Sequence, residues 1–302
     1  MLQNQPETLL LFAQSKQDYS LVSGRIAAQP TVTEEDLVDM LQARDPTEDA
    51  ARILRQQSRI DPDALGYAER LQQRPEFQIW LLSESPGLLL VDGACRDQGV
   101  GRTSPMSIFT ASMASSLLRA KAGVVLQFFC AHHTDPNAPD SGPKGLVKSI
   151  TSQLLMYPQF QGLSNTDFAD QSLLDAVAGN NLDALCYLFE NIFQQVDPGT
   201  LIYVLIDSIP SFESDLHGHG ERMESVLAMF RLLINGVLNG STPGPRLKLF
   251  MTSPNRSLRL FRHVDRQTEH VRLDGQIAHG HSTRRGGGGR LVDLGSRRSR
   301  DW

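Results

Sequence analysis

Apolar residues in this chain come in short, dense runs, continuous at Leu88–Val91 and nearly so elsewhere, separated by longer, periodic stretches. Runs at Leu88–Val91, Val124–Phe129, Thr200–Ile206 and Leu247–Met251 are flanked mainly by Gly, Pro and Asp. A brief continuous apolar run bounded by turn residues is the pattern of a strand buried on both faces of a parallel sheet. Between the runs the apolar spacing lengthens to a helical period, predicting helices over Ile108–Leu118, Gly145–Tyr157, Asp167–Val177, Leu182–Val196 and Glu221–Leu238. Val271–Leu273 completes the set as a short last strand. Strand alternating with helix predicts an α/β chain with a parallel five-stranded sheet flanked by helices.

Ahead of the first strand the pattern changes. Residues 1–30 carry one apolar patch, Leu9–Phe12, without a sustained period, and read as a weakly ordered arm. Residues 31–76 offer three helix starts: Thr33 before an acidic turn, Asp45 before Pro46, and Asp61 before Pro62. Their apolar residues are few, so this is a small helical region. Phe77 and Trp80 then share one helix face and are expected against the sheet edge. The main domain is expected over 77–273. From Asp274 to the end, 274–302, Gly, Arg and Ser replace any apolar period, and a disordered tail is expected.

Composition narrows the classes of function. Across 302 residues, 40% are hydrophobic and 21% charged, with a formal net charge of −5. That balance argues against nucleic acid as a bulk partner, because a phosphate backbone is bound mainly by clustered Lys and Arg. No apolar run approaches the ~20 residues of a membrane span, so no membrane partner is expected. Three cysteines without C-x-x-C spacing, and no basic-then-apolar leader, point to a cytoplasmic protein with reduced thiols.

The chemistry, if any, sits after the first strand. Against the phosphate-binding pattern G-x-x-G-x-G-K-[ST], Arg96–Thr103 supplies Gly99, Gly101 and the hydroxyl of Thr103. It lacks the first glycine, where Arg96 stands, and the lysine, where Arg102 stands. Glycines let consecutive N–H groups turn inward on a phosphate, lysine reaches its oxygens, and the hydroxyl holds Mg²⁺. Arginine keeps the charge but is a wide planar fork rather than a compact ammonium. Pro105 disfavours helix at Ser104, so Ser104 is expected as the N-cap and the helix starts late.

Elsewhere, Asp207 ends the strongest strand and is the best metal candidate, with no second acid nearer than Glu213. Arg256, after the strand at Leu247–Met251, could sense a phosphate, or the segment could cap a helix beginning near Ser257. Cys130–Asp135, His217–His219 and His279–His281 contain metal-ligand types but no distant partner set, and read as polar strand ends and loops.

The order of these parts, with the fragments FFCAHH (128–133), GPKGLVKSITSQLL (142–155) and LFMTSPNRS (249–257), resembles the NACHT-like P-loop NTPase domains of fungal STAND signalling proteins. The resemblance implies a P-loop NTPase-like fold over 77–273, nucleotide contacts from Gly99, Gly101, Arg102, Thr103 and Arg256, and a metal at Asp207. ATP or GTP with Mg²⁺ would be the ligand. The changes at Arg96, Arg102 and Ser208–Pro210 imply a degenerate member with no catalytic residues and no meaningful hydrolysis, and the lack of the winged-helix and repeat regions expected of such proteins implies a truncated one. Two functions follow: a nucleotide-binding switch, or a nucleotide-free scaffold for protein partners.

Overall fold

The structure is a computed structural model that describes residues 32–60, 62–95, 101–162, 165–213, 218–238, 240 and 244–273. The arm, Arg96, Gly99, His217 and the tail lie outside the described residues. The chain is an α/β protein. Its elements are α1 (Glu34–Leu41), α2 (Pro46–Arg55), α3 (Pro62–Gln72), α4 (Pro75–Leu82), β1 (Gly87–Asp92), α5 (Pro105–Arg119), β2 (Val124–Phe129), α6 (Gly142–Leu155), α7 (Gln171–Ala178), α8 (Leu182–Gln194), β3 (Leu201–Asp207), α9 (His219–Leu238), β4 (Arg246–Ser253) and β5 (His270–Arg272). Single 3-10 turns follow β2 at Cys130–His132, β3 at Ile209–Phe212 and β4 at Leu260–His263.

The five strands form one sheet in the order β2-β3-β4-β1-β5, and every pairing is parallel. This arrangement is compatible with a P-loop-like fold. Each strand divides its side chains between two cores, because successive residues point to opposite faces. Leu88, Leu90, Leu126, Phe128, Val204, Ile206, Leu249 and Met251 face α6, α8 and α9. Leu89, Val91, Phe129, Tyr203, Leu205 and Phe250 face α4 and α5. Burial of each such side chain stabilises the fold by roughly 1.5–3 kcal/mol.

Two of the three expected helix starts are formed as capped turns, and the third, at Asp61, lies outside the described residues. Thr33 and Asp36 make a reciprocal capping box on α1, and Asp45 accepts the Thr47 N–H at the head of α2. The short helices do not build a core of their own. Leu37 and Leu41 of α1 join one face of the sheet, and Ile53, Tyr67 and Leu71 of α2 and α3 join the other.

Two local expectations differ. Phe77 and Trp80 pack on Phe250 and Tyr203 of β4 and β3, with ring centroids 5.4–6.1 Å apart. They cover the middle of the sheet, not its edge, because β4 is the central strand. No α-helix begins near Ser257 either; the segment makes only the 3-10 turn at Leu260–His263. Of the two edge strands, β2 and β5, β2 is protected by Gln153 of α6, whose amide bonds both the N–H and the C=O of Gln127 at 2.9 Å. No helix among the described residues is long and apolar enough to cross a membrane.

Candidate functional site

The carboxyl ends of β1, β4 and β3 meet in one row, where open parallel sheets bind their ligands. Register places Asp92 of β1 beside Ser253 of β4, and Ile206 beside Met251. Asp207 and Thr252 are therefore neighbours, and β4, which carries Thr252, separates Asp207 from the end of β1.

The loop leaving β1 does not turn straight over the sheet. Its first N–H groups continue along β4: Gly93 donates to Ser253 O at 2.7 Å, Ala94 to Asn255 O at 3.3 Å and Cys95 to Pro254 O at 2.8 Å. Ala94 adopts a left-handed φ of 48°. A Cβ on Gly93 would lie 2.9 Å from Met106 Cγ and 3.1 Å from Pro254 O, so that close approach needs glycine. Residues 96–100 are outside the described set. The chain is described again at Gly101, whose φ of 64° favours glycine although none of the described residues crowds it.

Gly101 and Arg102 are exposed, whereas Thr103 is fully buried and its hydroxyl has no hydrogen-bond partner among the described residues. Ser104 is the N-cap of α5 and Pro105 its first residue, so Thr103 lies outside the helix. Ser104 and Ser107 form a reciprocal capping box, each side chain accepting the other's backbone N–H at 3.1 Å. This satisfies helix N–H groups that a bound phosphate would otherwise use.

Asp207 is sealed from solvent and held by three hydroxyls. Ser107 Oγ donates to Oδ2 at 2.6 Å, Ser208 Oγ to Oδ2 at 2.8 Å, and Thr252 Oγ1 to Oδ1 at 2.6 Å. Because the Ser107 proton goes to Asp207, Ser104 supplies the proton shared by the two serines, 3.0 Å apart. Burial raises the Asp207 carboxyl above its ordinary range, and the hydroxyl bonds offset only part of that effect.

Mg²⁺ demands a near-octahedral oxygen shell at about 2.0–2.1 Å and keeps several waters. Asp207 would have to release a hydroxyl and admit solvent first, so as arranged it does not fit a metal ion. Among the described residues, no cluster of three or more His, Cys, Asp or Glu is placed to hold one.

Glu213, the nearest following acid, is taken up in structure. It accepts the Leu258, Arg259 and Leu260 N–H groups at 2.8–3.3 Å, and the Ser257 hydroxyl. Arg256 is exposed, and its guanidinium lies over the Phe261 ring, 5.4 Å from the centroid.

Beside this corner is an arrangement that single-residue reading did not find. His133 is buried between two carboxylates: Nε2 is 2.7 Å from Asp49 Oδ2, and Nδ1 is 2.9 Å from Asp140 Oδ2. Phe128 stacks on its ring at 4.4 Å. His132 is shifted down, chiefly by burial; Asp49 opposes the shift, while Arg52, His133 and Arg102 add to it. Cys130 is fully buried, and burial with the nearby Asp207 charge pushes its thiol well up, which makes it a poor nucleophile.

No protein-family model matches this chain, and no curated protein matches it significantly.

Proposed function

We propose that this domain is a pseudo-NTPase: a P-loop-like α/β scaffold of the STAND type whose β1–α5 corner is fixed by its own side chains, and which serves protein partners without turning over nucleotide. The observation that carries this reading is the hydroxyl cage on Asp207. In an active site of this class the acid at the strand end must be free to hold Mg²⁺, and a second polar group must orient water. Here Ser107, Ser208 and Thr252 occupy the acid, and Glu213 is spent on backbone N–H groups. The Ser104–Ser107 box closes the first turn of α5, and Arg102 replaces the compact lysine charge.

A second reading, the nucleotide-binding switch, is favoured by one feature. Among the described residues Thr103 keeps a buried hydroxyl without a partner, beside an exposed Arg102, as a loop awaiting a phosphate would.

The test is to denature the purified protein and look for released nucleotide, then titrate Mg·ATP and Mg·GTP by calorimetry. The double variant Arg96→Gly with Arg102→Lys, and the same with Pro105→Ala, are titrated alongside. The scaffold reading expects no released nucleotide and no heat from the unmodified chain, whatever the repaired loops do. Micromolar binding by the unmodified chain would overturn it in favour of the switch.

A further inference from the structure

The segment after β4 carries a recess that the β1–α5 corner does not use. It encloses about 270 Å³, is open to solvent, and is lined by Arg256, Ser257, Leu258, Phe261, Arg262 and Arg266. Three of its six lining residues are arginines, all exposed. Arginine stays charged at any accessible pH and offers a planar fork matched to carboxylate or phosphate oxygens.

These cations are left uncompensated while the acids around them are committed elsewhere. Glu213 holds the N–H groups of Leu258, Arg259 and Leu260. Glu224 pairs with Arg259 at 3.0 Å and faces His263 at 3.8 Å. Glu269 is held by Arg231 at 2.5 Å and accepts the Asp265 N–H at 2.8 Å. Asp265 accepts the Gln267 N–H at 3.0 Å and the Thr268 hydroxyl at 2.7 Å. Among the described residues, no carboxylate pairs with Arg256, Arg262 or Arg266.

Two of the guanidiniums are positioned by one aromatic ring. Arg266 lies 4.6 Å and Arg256 5.4 Å from the Phe261 centroid, and the ring is itself braced by His270, whose centroid is 4.8 Å away. Cation–π attraction holds each fork in place at modest cost in freedom, but it does not cancel their mutual repulsion. An anion placed between them would.

We propose that this recess is a binding site for a phosphate monoester dianion. A carboxylate brings one negative charge to three guanidiniums, whereas a phosphate monoester brings about −1.5 to −2 and three acceptor oxygens. The volume leaves room for the carbon group that bears the phosphate, against Leu258, which is 67% exposed. The carrier is either a phosphorylated side chain of a peptide or a small phosphorylated molecule. The proposal does not depend on how the β1–α5 corner is read.

The experiment is a calorimetric titration of the full chain at low salt and pH 7.5. The probes are phenyl phosphate, a short phosphoserine peptide, adenosine monophosphate, the unphosphorylated peptide, a peptide with Glu in place of phosphoserine, and a short DNA duplex. Each phosphate monoester is expected to bind at least tenfold more tightly than the unphosphorylated and Glu peptides. Preference between the phosphopeptide and adenosine monophosphate identifies the carrier. The double variant Arg262→Gln with Arg266→Gln should weaken binding more than tenfold, while Arg55→Gln, an exposed change on α2 away from both the recess and the β1–α5 corner, leaves it unchanged. Lowering the pH to 5.5 should weaken it several-fold, because the second phosphate oxygen protonates near pH ~6. Both variants carry exposed substitutions, and an unchanged melting curve shows that they fold. The proposal is overturned by no phosphate binding, by binding that survives the double variant, by loss in Arg55→Gln, or by equal or tighter binding of the Glu peptide or the duplex.

Discussion

Ser107 Oγ donates to Asp207 Oδ2 across 2.6 Å, and that bond fastens the first turn of α5 to the end of β3. Both residues are buried, so the donor cannot be replaced by water. Ser107→Ala removes one hydroxyl from the cage and half of the capping box with Ser104. Loss of a buried hydrogen bond to a charged group costs roughly 1.5–3 kcal/mol. Urea unfolding at neutral pH is expected to show a destabilisation of about that size with an unchanged m-value. A loss near zero would mean that the cage is not rigid.

Asp207 also sets a pH dependence. Its folded carboxyl is raised, first by burial, above the ordinary carboxylate value. The native state then binds more protons than the unfolded state between the two pKa values, so this group's contribution to stability falls as pH rises through that window. The contribution is complete below the unfolded pKa of about 3.9 and is lost above the folded one. In Asp207→Asn the group no longer titrates. Stability of the variant relative to the parent should therefore improve as pH is raised from about 4, read from denaturant melts at stepped pH. A constant difference would refute the shift.

Asp49 behaves in the opposite sense. Burial alone would raise its carboxyl, but the hydrogen bond and charge of His133, with lesser help from His132 and Arg52, win and hold it below its ordinary value. A depressed carboxyl stabilises the fold above its unfolded pKa, and the benefit fades as pH falls through the folded one. The bond links α2 to the end of β2, and Asp140 with Arg44 completes the cluster at 3.3 Å. Asp49→Asn should cost roughly 1–3 kcal/mol at pH 7, with the deficit shrinking below about pH 4. Hydrogen exchange should quicken first in α2.

The strands could be read from the chain because a run such as Val124–Phe129 is buried whichever way its residues point. Thr33, Asp45 and Ser104 could be read as caps because a cap is a local contract between a side chain and an N–H a few residues away. The cage and the histidine cluster have no such local signature. Ser107 and Asp207 are 100 residues apart, and His133 and Asp49 are 84 apart. Only the strand order brings them together, and many orders fit the same list of strands. The same reason explains Phe77 and Trp80. Their apolar spacing shows that they cover a sheet, but not that β4 beneath them is its centre.

Lys248 supplies a last and separate test. It lies on central β4, buried, with Nζ donating to the Trp80 carbonyl in the last turn of α4 and standing 5.5 Å from the Trp80 ring centroid. A cation suits the exposed carbonyls of a helix C-terminus. The cost is desolvation, and burial first, then the Arg246 charge, lowers its ammonium to about 8. An amine whose folded pKa is depressed favours the native state most above its unfolded value of about 10.4, and that contribution is lost as pH falls toward the folded pKa. The parent should therefore gain stability as pH rises from about 8 toward 10. Lys248→Met keeps the length and apolar stem but removes the charge, giving up one hydrogen bond to Trp80 O. The variant should lack the alkaline gain and lie within about 1 kcal/mol of the parent at pH 7. Thermal and urea melts from pH 6.5 to 10 decide it: parallel profiles for the two proteins would show that the ammonium titrates normally and that the lysine is not confined as described.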